Sequence, residues 1–339
     1  MAPLPDLKQL RDGARVVALP LITRFRAIDV REVLLVRGPR GWAEFSPFIE
    51  YPDLEAVRWL EAALDYGWGD EPVLRRNRIP VNATLPAVAL DRIEEVLALF
   101  GSVRTVKVKV ASVDGTLADD VARVRATRAH LGPEGRIRVD ANGGWSVDEA
   151  ERAAHALAPF DLEYLEQPCG TIPELIELRE RLRDWQLPIA ADESVRKAED
   201  PLEVAREGAA DVVVVKAAPL GGVQAALRIV AEAGLPVVVS SALDSSVGLA
   251  MGAQLAAALP ELEYDCGLGT AALLTADVTA EPLLPHDGFI EVRRVEPDEW
   301  LLDRYAADAD RTAWWLARLE RCYDLLESSA RNVATPRIE

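Results

Sequence analysis

The chain has 339 residues, half of them hydrophobic, and a mean hydropathy of +0.03, which describes a globular protein with a sizeable core rather than a disordered or fibrous one. Fifty-six acidic residues against 38 basic ones leave a formal charge of −18 and a pI near 4.7, a surface that repels nucleic-acid phosphates and anionic lipid. Three widely spaced cysteines, Cys169, Cys266 and Cys322, form neither a disulfide framework nor a thiolate zinc site and fit a reducing cytoplasm.

Residues 1–10 hold two prolines, Asp6 and Lys8, and lack the basic region and apolar core of a leader peptide. Residues 31–36 and 41–48 read as strands around a turn at Gly38-Pro39-Arg40-Gly41. Residues 53–66 read as a helix with Asp53 as its N-cap. These elements predict a small α+β unit over residues 1–79.

From about residue 80 the pattern changes. Short strand-like runs, most of them with β-branched residues, occur at 81–84, 103–110, 137–140, 162–166, 189–192, 212–216 and 237–240, with a weaker one at 263–266. Amphipathic stretches at 117–131, 147–157, 172–185, 201–207, 223–233 and 246–258 lie between them. The stretch around 245–260 is weakly charged but short for a membrane span, so it reads as a buried helix. Strand–helix alternation implies parallel strands, and eight such units predict an α/β fold of the TIM-like (β/α)8 barrel type over residues 80–275. No G-x-G-x-x-G follows the first strand, which argues against a dinucleotide-binding sheet. From 276 to 339 the chain reverts to loops, a strand at 289–293 and a Trp-containing helix at 311–328, expected to pack back on the N-terminal unit.

In such barrels the active site forms at the C-terminal ends of the strands. Three successive predicted strands end in a carboxylate there: Asp140, Glu166 and Asp192, each 26 positions after the last. Converging carboxylates raise one another's pKa, and a hard divalent cation relieves that cost, so they form the expected metal set. Lys107 and Lys109 alternate with valines on the second strand and therefore share its inward face. Lys216 ends the apolar run of the sixth strand, across the barrel. Lysines that flank a site in this way, their pKa lowered by burial and by one another, supply a base.

This set resembles the enolase superfamily, in its muconate-lactonising subgroup: Lys107-Val108-Lys109 on the second strand, Asp140, Glu166 and Asp192 on the next three, and Lys216 on the sixth. The segment Gly41-Trp42-Ala43-Glu44-Phe45-Ser46-Pro47-Phe48 resembles that family's capping domain, so residues 1–79 and 276–339 are expected to form an α+β cap on the barrel. Within the subgroup, segments 21–26, 240–248 and 265–270 are most similar to the dehydratases of the menaquinone pathway, actinobacterial type. The resemblance implies a hydro-lyase with Mg²⁺ or Mn²⁺, acting on a small-molecule carboxylate. Lys109 would be the base, Lys216 a cationic stabiliser and Lys107 a partner that holds the carboxylate. Arg24 or Arg26 would close the site, and Ser241 and Asn142 would contact substrate. No nucleic-acid or membrane partner is implied, and a monomer is favoured. Racemases and dipeptide epimerases of the same superfamily share these acid/base residues and remain the alternative; Glu263-x-Asp265 keeps the epimerase reading open.

Other signals carry less. His130, His155 and His286 are scattered without an H-E-x-x-H pattern, Pro219-Leu220-Gly221-Gly222 lacks a P-loop ending, and the serines at 240–246 form no nucleophile elbow.

Overall fold

The computed structural model describes residues 4–25, 28–196 and 202–334. Helix α1 (Leu7–Asp12) leads into an antiparallel meander of β1 (Arg15–Phe25), β2 (Ile28–Gly38) and β3 (Gly41–Phe45). Strand β1 has no counterpart among the predicted elements. It is an edge strand interrupted by Pro20, which has no N–H for a ladder, and its pairing with β2 shifts register between Pro20 and Phe25. Helix α2 (Asp53–Trp68) packs on this meander. Gly38 and Gly67 meet there so closely that a Cβ on Gly38 would collide with the Gly67 carbonyl oxygen. Asp53 is not the cap of α2: Pro52 holds that position, and the Asp53 carboxylate accepts from Arg321 Nε at 2.6 Å instead.

After β4 (Arg78–Pro80) the alternating region begins. In chain order it runs β5 (Ala83–Leu85), α3 (Ile93–Ala98), β6 (Thr105–Lys109), α4 (Leu117–Leu131), β7 (Arg136–Asp140), α5 (Val147–Leu157), β8 (Leu162–Glu166), α6 (Ile172–Leu182), β9 (Ile189–Ala191), α7 (Glu193–Arg196), α8 (Glu203–Arg206), β10 (Val212–Val215), α9 (Val223–Ala233), β11 (Val237–Val239) and α10 (Ser246–Ala258). Strands β5 to β11 form one seven-stranded sheet, side by side in chain order and all parallel. The expected strand at 103–110 shortens to β6, and the expected helix at 201–207 to the four residues of α8.

Local sequence explains the regularity. Three successive helices start with reciprocal capping boxes, Thr116/Asp119, Ser146/Glu149 and Thr171/Glu174, each satisfying two orphan donors of its first turn. All four valines of β10 are buried, as a parallel strand covered on both faces requires. The two sides of the curled sheet bridge in parallel to adjacent residues: Val81, just before β5, to Cys266, and Ser240, just after β11, to Gly267. Cys266 N donates to Pro80 O (2.7 Å) and Gly267 N to Val239 O (2.8 Å). The weak strand expected at 263–266 is reduced to this pair of bridges.

The last segment gives β12 (Phe289–Glu291), antiparallel to β4, then α11 (Glu299–Arg304) and α12 (Ala309–Ala334). Polar side chains tie α12 to the meander and to the loop before α2. Trp315 Nε1 donates to Glu32 Oε2 at 2.8 Å, and Arg318 Nη1 to the Phe48 carbonyl at 3.1 Å. Among the described residues no helix is long and apolar enough to cross a membrane.

Candidate active site

The parallel register brings the predicted residues to one edge of the sheet. Lys109 pairs with Asp140, Asp140 with Glu166, and Glu166 with Ala190, two residues before Asp192. Lys216 follows the last residue of β10. The turns leaving β6, β7 and β8 each place a non-glycine residue at positive φ: Ala111 (55°), Asn142 (48°) and Gln167 (35°). Such backbone persists only where its surroundings hold it. At Gln167 the hold is visible: its Oε1 accepts from the backbone N–H groups of Asp192 (3.0 Å) and Ser194 (3.1 Å). Gln167, invisible as a functional residue in the sequence, thereby fixes where Asp192 sits.

Three ammonium groups lie on three carboxylates. Lys107 Nζ donates to Asp140 Oδ2 (3.0 Å) and Glu166 Oε1 (2.9 Å). Lys109 Nζ donates to Asp140 Oδ2 (2.5 Å) and Asn142 Oδ1 (2.8 Å). Lys216 Nζ donates to both oxygens of Asp192. Burial works against charge on Asp140, but Lys107 and Lys109 overcome it and hold the carboxyl far below its usual range. Glu166 goes the other way: burial, reinforced by the Asp140 charge, raises it to about 7. Burial also opposes the charge on Lys107, yet Asp140 and Glu166 lift its pKa well above normal. The expected lowering is thus reversed at Lys107, because its nearest neighbours are anions rather than the other lysines.

A cavity opens over this edge. Lys107, Lys109, Asp192 and Lys216 line its floor, with Asn142 and Glu193 beside them. Asn142 Nδ2 donates to Glu193 Oε1 at 3.2 Å. Ser240, Ser241 and Thr270 add hydroxyls, and Ser241 Oγ also donates to the Gly267 carbonyl at 2.8 Å. Much of the remaining wall is apolar: Phe25 from β1, Phe48 and Tyr51 from the loop before α2, Trp59 from α2, and Leu243. Phe25, Phe48 and Leu243 fall in segments that carry the family resemblance, but nothing in periodicity marks any of the five as lining the site, since only tertiary folding brings them to the strand ends. Arg24 does not line the cavity; it is paired with Asp29 at 3.8 Å. Arg26 lies outside the described residues.

Among the described residues no three His, Cys, Asp or Glu side chains stand arranged to hold an ion; the lysine ammoniums occupy the carboxylates. The donor chemistry nevertheless fits a hard divalent cation. Asp140, Glu166 and Asp192 offer only oxygen, the charges of Asp140 and Asp192 burden that of Glu166, and Glu166 Oε2 is buried with no hydrogen-bond partner among the described residues.

Residues 87–297 match the family model described as enolase C-terminal domain-like, and residues 16–67 the one described as enolase N-terminal domain-like. The chain is 56% identical over 326 residues to the o-succinylbenzoate synthase of Mycobacterium ulcerans, covering 96% of this chain and 97% of that one. It is 55% identical over 324 residues to the Mycobacterium leprae protein of the same name, covering 95% of each. Among solved structures it is similar to the muconate lactonizing enzyme of Pseudomonas putida, with a TM-score of 0.73 at 22% identity over 87% of this chain and 98% of that one. The Pseudomonas fluorescens enzyme complexed with muconolactone gives 0.74 at 23% identity, with the same coverage. At that identity the structural likeness speaks for the fold alone.

Proposed function

The chain belongs to the enolase superfamily, and from that premise we infer that it has o-succinylbenzoate synthase activity, a lyase reaction of menaquinone biosynthesis. The substrate would be 2-succinyl-6-hydroxy-2,4-cyclohexadiene-1-carboxylate and the products o-succinylbenzoate and water. The observation that carries the reading is identity of 54–56% to proteins of that name along nearly the whole length. The site suits the chemistry, since it sets cationic side chains around a pocket with an apolar wall.

The sheet and its two bridging residues are read as a closed (β/α)8 barrel, with residues 80–275 as catalytic domain and 1–79 plus 276–339 as cap. Asp140, Glu166 and Asp192 are the proposed ligands of a divalent metal, Mg²⁺ or Mn²⁺. When bound, the metal supplies a Lewis acid for the charge that develops on the substrate carboxylate.

The protein's own groups do the rest. Lys109 Nζ, as the neutral amine, takes the proton on the ring carbon that bears the carboxylate. The C–H electron pair becomes a ring double bond, the C–OH bond breaks, and Lys109 returns the proton to the departing hydroxide, which leaves as water. The ring gains aromaticity, and a single base on one face suffices. Asn142, in contact with Lys109, orients it. Lys216, held by Asp192, stabilises negative charge from the β10 side.

The epimerase alternative leaned on Glu263-x-Asp265 as an acceptor for a substrate amino group. The Asp265 carboxylate is instead engaged by Arg104 (2.6 and 2.8 Å) and Thr105 (2.7 Å), and it is only 1% exposed. Thr105 opens β6 and Lys109 ends it, so Asp265 lies about 13 Å below the base at the usual strand rise. That separation tells against the epimerase reading. Incubating the protein with the cyclohexadiene substrate and Mg²⁺ tests the choice: o-succinylbenzoate should form. Its absence, with N-succinyl amino acids racemised instead, would move the assignment to the racemases.

A further inference from the structure

Two pieces of the cavity wall come from distant parts of the chain. Phe48 follows the meander, and Leu243 lies in the loop between β11 and α10. Leu243 is 2% exposed and sits at φ +62°, in the left-handed region that a bulky side chain rarely adopts. Backbone of that kind persists where neighbours over-determine it.

One side chain reaches both pieces. Arg31, on β2 and itself 2% exposed, donates through Nε to the Leu243 carbonyl at 3.1 Å. Its guanidinium lies 4.5 Å from the centroid of the Phe48 ring. Its far edge donates to the carbonyl and hydroxyl oxygens of Ser46, two residues before Phe48.

The contacts extend on either side of Arg31. Ser46 Oγ donates to Glu44 Oε1, and Glu44 Oε2 accepts from Ser245 N and Gly248 N, each at 3.1 Å, at the start of α10. Asp244 Oδ2 accepts from Ala242 N at 3.2 Å, closing the loop on itself. The meander thus grips the 241–245 loop at Leu243 and at Ser245, and Arg31 is the member that touches both walls. Asp244 feels the charge of Lys216, but among the described hydrogen bonds none joins these groups to Lys109 or Lys216.

We propose that Arg31 is a positioning residue that sets the spacing between Phe48 and Leu243, and through it the fit of the part of the substrate remote from the reacting ring carboxylate. The proposal rests on the functional reading above, with the metal at the substrate's ring carboxylate, and adds to it that the succinyl chain runs away from that carboxylate past Phe48 and Leu243. A planar fork is needed for the task. It stacks on Phe48 while its edges serve Leu243 and Ser46, which a lysine ammonium cannot do together.

The test uses the Mg²⁺-loaded enzyme and two ligands, o-succinylbenzoate and plain benzoate, with Arg31→Lys as the first variant. That change keeps a cation beside Glu44 and Asp244. The KM for the substrate and the Kd for o-succinylbenzoate should rise about tenfold, with kcat within about threefold and the Kd for benzoate unchanged. A merely structural role would weaken both ligands alike and lower kcat with them. Leu243→Gly, which accepts φ +62° without help and leaves Arg31 in place, is the second variant and should show the same selective loss. Equal loss for both ligands, or no loss in either variant while the wild type binds o-succinylbenzoate, overturns the positioning role alone. A folded, metal-loaded wild type that binds benzoate but not o-succinylbenzoate overturns the functional reading and this proposal with it.

Discussion

Lys109 and Lys216 both face the cavity, but their surroundings differ. Lys109 is shared between Asp140 and Asn142, while Lys216, among the described residues, hydrogen-bonds to Asp192. In a one-base dehydration they are not equivalent. Lys109→Ala should lower kcat by about 10³-fold or more, the range for losing a general acid–base, while o-succinylbenzoate still binds. Lys216→Ala should reduce kcat through lost charge stabilisation, and should spare hydrogen–deuterium exchange at the carbon that bears the ring carboxylate more than Lys109→Ala does. Equal loss of exchange in the two variants would point to two-base chemistry. A second residue-scale prediction concerns Glu44. Burial, with the charge of Asp244 beside it, raises its pKa from 4.5 to about 7, against the pull of Arg31 and two serine hydroxyls. The folded protein therefore keeps a proton that the unfolded chain releases. This contribution to stability is full below about pH 4.5 and is lost as pH rises through 7. The Tm of the wild type should fall more steeply between pH 5 and 8 than that of Glu44→Gln; parallel curves would contradict the assignment.

At the scale of elements, the parallel strands were readable because each is a short run, several of them rich in valine, and most are followed by a capped helix. Their C-terminal residues were readable too, since Lys109, Asp140 and Glu166 are the terminal residues of their strands. Asp192 and Lys216 lie one residue past theirs. Strand β1 was hidden by Pro20, and the Cys266–Gly267 bridges by a local pattern too short to show a period. The apolar wall could not be read because Phe25, Phe48, Trp59 and Leu243 meet only through the packing of the meander and α2 over the sheet. That packing depends on the close approach of Gly38 to Gly67. Gly38→Ala places its Cβ against backbone, which cannot rotate away. It should destabilise the protein by about 1–3 kcal/mol, read as a lower urea midpoint; an unchanged midpoint would mean that the meander and α2 can separate at little cost.

At the scale of the molecule, the site belongs to neither part alone. The sheet edge supplies lysines and carboxylates, and the meander and α2 supply the wall. The acidic surface repels anions, yet the cavity gathers three lysines, so the attraction for a carboxylate substrate is local to this edge. A metal that binds the folded site and not the unfolded chain should stabilise it by about 2.7 kcal/mol at a hundredfold excess over Kd. Mg²⁺ should therefore raise the Tm of the wild type, and Asp192→Asn should abolish most of that rise; an undiminished rise would place the ion elsewhere.

The central claim is a metal-assisted dehydration with Lys109 as base. The most direct measurement follows the disappearance of 2-succinyl-6-hydroxy-2,4-cyclohexadiene-1-carboxylate in three samples: wild type with Mg²⁺, wild type with EDTA, and Lys109→Ala with Mg²⁺. Rapid conversion to o-succinylbenzoate in the first sample alone is the predicted result. Conversion that persists in Lys109→Ala or in EDTA, or a folded, Mg²⁺-loaded wild type that leaves the substrate untouched, would contradict it.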